Sequence, residues 1–162
     1  MTQTPTPRRV LAELSYDSAV RALDLQERAV EQLRARTGTL LAASSLTASF
    51  LGAQTIQHAG GLGALVVLAL VSLASSIVLC VYVLLPKRGF VFAMRAPTMY
   101  ETLYEIGGDD EQVRRRLIYW LDEYWKANQT GIDSLDRYYF GATVALTLQL
   151  VFWSWALAAN IS

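Results

Sequence analysis

The sequence predicts an all-α integral membrane protein with three transmembrane helices and amphipathic cytoplasmic helices. The chain has 162 residues, 53% of them apolar and 17% charged. Its 14 Lys+Arg and 14 Asp+Glu fall in two blocks, Arg8 to Arg36 and Lys87 to Arg137. Between and after them lie two uncharged runs, 50 residues from Thr37 to Pro86 and 25 from Tyr138 to Ser162. A soluble surface needs charge throughout, so this pattern excludes a soluble enzyme and a nucleic-acid binder with a basic face. Cys80 is the single cysteine, which excludes a disulfide scaffold. Long continuous apolar runs take the place of strand alternation, so the spans are helices and not barrel strands.

Residues 1–7 (MTQTPTP) read as a disordered lead. No apolar segment lies near the start, so a cleaved signal peptide is not expected. Residues 8–37 read as one cytoplasmic amphipathic helix. Tyr16, Ala19, Leu23, Gln26, Val30 and Leu33 fall at heptad spacing, continuing to Thr37 and Leu40. Two readings of this stripe compete: packing on the chain's own second charged block, or a seam between subunits with Gln26 setting register. The polar face mixes Arg with Asp and Glu, unlike the basic face of a helix lying on lipid.

A helix needs roughly 20 apolar residues to cross a bilayer core about 30 Å thick. The first uncharged run is long enough to cross twice. Gly60, Gly61 and Gly63 disfavour helix and favour a tight turn, giving a first span over 38–58 and a second over 62–85. Pro86 ends the second, with Lys87 and Arg88 at the membrane surface. The connection 87–137 carries a short helix over Thr98–Ile106, a stop at Gly107-Gly108 and an N-cap at Asp109. Val113, Leu117, Trp120, Leu121 and Tyr124 then mark one apolar face, and Ile132 and Leu135 keep the phase. The Asn128–Gly131 stretch is a weak point, so the expectation is one long helix, bent or frayed near Gly131, that feeds into the third span. The third span covers 138–159, with Tyr138, Tyr139 and Phe140 at one end and Trp153 and Trp155 at the other.

Lys and Arg set orientation. Six Arg precede the first span, eight Lys+Arg lie between the second and third, and neither the His58–Gly63 turn nor the Asn160–Ser162 tail has any. This puts the N-terminus and the connection in the cytoplasm and the C-terminus outside. The bias of twelve Arg to two Lys is that of a GC-rich bacterial genome, so the membrane expected is a bacterial inner membrane.

The spans hold no Asp, Glu, Lys or Arg, which argues against proton pumps, ion-coupled transporters and voltage sensors. No nucleophile elbow, zinc-protease helix or phosphate-cradling loop is present, so no catalytic residue is expected. His58 is the one histidine, and one chain lacks the ligands for a metal or cofactor. The polar content of the spans is more suggestive. Ser44, Ala48 and Gly52 recur at four-residue spacing, as do Ser45, Ser49 and Ala53, and as do Ser72, Ser76 and Cys80 in the second span. Such faces serve close helix packing or, in an assembly of several copies, line a pore. The candidates are Ser44, Thr47, Ala48, Gly52, Thr55, Ser72, Ser76 and Gln149. Gly141 and Ala145 offer a further site of close contact. Arg114, Arg115 and Arg116 are either solvated charge or a partial site for a phosphate group. Consecutive residues point about 100° apart, so the three cannot form one patch alone. Tyr119, Trp120, Tyr124 and Trp125 add aromatic density beside them.

The layout resembles the small membrane effectors of bacterial anti-phage systems, the Pycsar effector and SLATT-like families. Four features carry the resemblance. They are the charged helix Arg8–Arg36, its passage into the first span through Arg34-Ala35-Arg36-Thr37-Gly38-Thr39-Leu40-Leu41-Ala42-Ala43, a second span ended by Leu85-Pro86-Lys87-Arg88, and a cytoplasmic helix leading to a last span. The resemblance implies a homo-oligomer that forms a pore or perturbs the inner membrane after a nucleotide signal, in antiviral defence. The chain departs from that pattern in having no separate cyclic-nucleotide-binding domain, so sensing would fall to these helices or to a cytoplasmic signalling partner. The alternative is a membrane adaptor that docks a cytoplasmic partner on the helices Arg8–Arg36 and Asp109–Arg137.

Overall fold

The structure, a computed structural model, describes residues 7–58, 63–86, 89–92 and 110–161. The expected turn at Gly60-Gly61, the helix over Thr98–Ile106 and the cap at Asp109 lie outside them, as do Lys87 and Arg88. The described residues are all-helical, with no strand among them: α1 Pro7–His58, α2 Ala64–Leu84 and α3 Asp110–Ile161. α2 and the stretch Gln112–Ala159 of α3 are long and apolar enough to cross a membrane. α1 does not reach that standard: its uncharged part is diluted by Ser44, Ser45, Thr47, Ser49, Gln54 and Thr55. The chain divides into two compact units, one of Met1–Val30 with Lys87–Ile132 and one of Glu31–Pro86 with Asp133–Ser162.

In the first unit the heptad stripe of α1 is the buried one. Leu23, Gln26 and Val30 are buried, as are Leu117, Leu121 and Asn128 of α3. Gln26 donates from Nε2 to the Trp125 carbonyl and to Gln129 Oε1, both at 3.1 Å. The stripe therefore meets the chain's own second block, and Gln26 sets register inside one chain.

The expected weak point of α3 is a clamp. Asn128 is 1% exposed. Its Nδ2 donates to the Val91 carbonyl at 2.9 Å, and the Val91 N–H donates to its Oδ1 at 3.1 Å, so one side chain satisfies both backbone groups of a non-helical residue. Phe90 then fills the space above Gly131, where a Cβ would come within 2.7 Å of its ring. α3 runs uninterrupted through Gly131, although a glycine inside a helix costs about 1 kcal/mol relative to alanine.

The second unit is built on small residues. Ser44, Gly52 and Thr55 of α1, Ala69, Ser72 and Ser76 of α2, and Ala142 and Ala145 of α3 are buried. A Cβ at Gly141 would meet the end of the Leu79 side chain at 3.3 Å. Val66, Ala69, Trp153 and Ala156 form a tight cluster, and Trp153 lies over Gly52. α2 starts where the Gly63 carbonyl accepts the N–H groups of Val66 and Val67, at 3.0 and 3.2 Å. It ends before Pro86, which has no N–H to continue the ladder.

Gly52→Val is expected to destabilise the second unit by about 1–3 kcal/mol through overpacking. A Cβ there already meets the Trp153 ring at 3.3 Å. Thermal unfolding in detergent checks this, and an unchanged midpoint would show that Trp153 can swing away.

Candidate functional site

The most structured polar site lies inside the second unit. Serine and threonine in a helix usually bond back to the carbonyl four residues earlier. Thr37, Ser45, Ser49, Thr55, Ser72 and Ser75 do so. Ser44 and Ser76 reach across instead. Their hydroxyls meet at 3.2 Å, and Ser76 Oγ also lies 3.4 Å from the Ala142 carbonyl. Gln149 closes the seam by donating from Nε2 to the Ser44 carbonyl at 3.0 Å. Ser44, Ser76 and Gln149 are each fully buried.

The eight small and polar candidates thus divide. Ser44, Ser76 and Gln149 are brought together. Gly52 lies beneath Trp153, Thr55 and Ser72 are buried against their own helices, and Thr47 and Ala48 are half-buried. The seam is closed, and Ser44, Ser76 and Gln149 link α1, α2 and α3 within one chain. Two of its atoms lack hydrogen-bond partners, Gln149 Oε1 and Trp153 Nε1.

The arginine cluster is split. Arg114 is partly buried, with Nη1 3.9 Å from Glu13 Oε1, while Arg115 and Arg116 are exposed. Nearby, Lys126 donates to Asp122 at 2.7 Å, and this hydrogen bond, followed by the carboxylate's charge, raises the ammonium pKa. The pair is exposed and contributes little to stability.

Sequence reasoning missed one surface. In the first unit, Ala19 and Ala22 of α1 and Ile118, Tyr119, Leu121, Asp122 and Trp125 of α3 line an open groove of about 490 Å³. Its one sequence signal is the aromatic density to which Tyr119 and Trp125 belong. Among the described residues no cluster of three His, Cys, Asp or Glu could hold a metal ion.

No known protein-family model, characterised protein or solved structure matches the chain.

A sealed seam responds to volume more than to polarity. Gln149→Leu removes one hydrogen bond and one unpartnered oxygen, so its stability is expected to change by less than about 1 kcal/mol. Gln149→Ala leaves a void and should cost roughly 2 kcal/mol. Unfolding in detergent separates the two, and equal losses would mean that the hydrogen bond dominates.

Proposed function

We propose that this chain is a three-span protein of a bacterial inner membrane, with its N-terminus and the 87–137 connection cytoplasmic and its C-terminus outside. It works as an assembly of several copies that perturbs or perforates the bilayer when its cytoplasmic helices receive a signal. Lipid as the surrounding medium is supported by the outer surface of α2, where Val67, Leu68, Val71, Val78 and Val81 are all exposed and only six of the 21 residues are buried. In water such a surface would be an aggregation liability.

The assembly rests on one observation, the outward face of α1. Ala42, Ser45, Ser49 and Ala53 are exposed there at three- to four-residue spacing, with both hydroxyls turned to their own helix's carbonyls. A small, internally satisfied face of this kind lets a second helix come close in lipid. Because the Ser44–Ser76–Gln149 seam is closed, an aqueous path would run between copies and not through one. A cyclic nucleotide or a cytoplasmic signalling partner is the trigger that the layout suggests, as in the anti-phage effectors it resembles.

The closed seam also favours a second reading, a membrane adaptor whose cytoplasmic helices dock a soluble protein. Purified protein in dye-loaded liposomes separates the two. The effector leaks dye, alone or on adding cyclic nucleotides, and the pair Ser45→Leu and Ser49→Leu removes both the leakage and the oligomer while leaving the buried seam intact. Tight liposomes together with a stoichiometric soluble protein on purification would establish the adaptor instead.

A further inference from the structure

Within the second unit, Tyr82 near the end of α2 lies against Tyr138 of α3. Their ring centroids are 4.1 Å apart and the ring planes are tilted by 51°. That is nearer than the roughly 4.5–7 Å of ordinary aromatic packing. A phenol both donates and accepts, and the two hydroxyls are hydrogen-bonded to each other. Among the described residues no other pair of tyrosine rings is in contact.

The paired hydroxyls give this contact a chemistry that two phenylalanines would lack. They bring side by side the ring carbons next to each oxygen. Those carbons carry much of the unpaired spin once a phenol has lost an electron and a proton. Tyr82 is 39% exposed, so an oxidant reaches it and its proton can leave to water. Tyr138 is half-buried and already in place beside it. Coupling between the two rings therefore asks for no movement of either helix.

We propose that Tyr82 and Tyr138 are an oxidative coupling site, joined by a carbon–carbon bond when a one-electron oxidant such as the activated haem of a peroxidase acts on the protein. Each phenol gives one electron to the oxidant and one proton to solvent, leaving a phenoxyl radical. The two radicals pair to form the bond between ring carbons next to the oxygens. The hydrogen on each joined carbon then moves to that ring's oxygen, which restores two phenols. Two electrons and two protons leave in all, and the oxidant is reduced by two electrons. The product is a covalent staple between α2 and α3. It reinforces the seam in which Ser76 meets the Ala142 carbonyl farther along the same two helices. The coupling goes beyond both functional readings and depends on neither.

The test treats the purified full chain with a peroxidase and hydrogen peroxide, then digests it and reads the fragments by mass spectrometry. Equal amounts of ordinary and heavy-nitrogen protein are mixed beforehand, so that links within a copy and links between copies differ in mass. The expected product is a fragment pair joining Tyr82 to Tyr138, two hydrogens lighter than the sum of its parts, with both halves ordinary or both heavy. Its yield should fall at least tenfold in Tyr82→Phe and in Tyr138→Phe, which keep both rings, and should be unchanged in Tyr139→Phe. The oxidised wild type should also unfold at a higher temperature than the untreated protein, and oxidised Tyr82→Phe should not. Absence of the linked pair, a product that mixes ordinary with heavy halves, or a yield undiminished in Tyr82→Phe overturns the proposal.

Discussion

Hydrocarbon does not accept an unpaired charge, and this sequence obeys that constraint over almost half its length. With Asp, Glu, Lys and Arg confined to 8–36 and 87–137, the runs 37–86 and 138–162 are uncharged and largely apolar. In the membrane proposed for them such segments would meet each other without the hydrophobic drive that operates in water, because lipid solvates leucine as well as a neighbouring helix does. They must hold together by closeness and by shared hydrogen bonds. The second unit supplies both: glycine, alanine and serine at the contacts, Trp153 over Gly52, and hydroxyls that cross from Ser44 to Ser76 where others fold back on their own helices.

The first unit solves a different problem. Its helices carry charge on their outer faces and pack through Leu23, Val30, Leu117 and Leu121, as a helix pair in water does. Its specificity comes from two buried amides. Gln26 fixes the level of α1 on α3, and Asn128 holds the Val91 backbone where no strand or helix partner is available. Removing Asn128 would take away the partner of both Val91 backbone groups.

What the sequence revealed follows from periodicity. The α1 stripe through Leu23, Gln26 and Val30, the α3 face through Leu117 and Leu121, and the limits of α2 were legible because each is a local pattern of spacing or a stop signal such as Pro86. Asn128 and Gly131 were misread as a weakness because a clamp depends on Phe90 and Val91, about forty residues away, which no window includes. The pairing of Ser44, Ser76 and Gln149 was equally hidden. Their polarity was visible, but whether they faced water, lipid or one another depends on tertiary packing. The groove of Ala19, Ala22, Tyr119 and Trp125 was half visible, as unexplained aromatic density.

The central claim is that the uncharged segments cross lipid and leave every ionised side chain on one side. Single-cysteine labelling in intact cells, on a Cys80→Ala background, tests it most directly with Gly63→Cys and Arg116→Cys. A three-span chain exposes Gly63→Cys to a membrane-impermeant maleimide from outside and protects Arg116→Cys until the cells are opened. Labelling of both positions from the same side would contradict it.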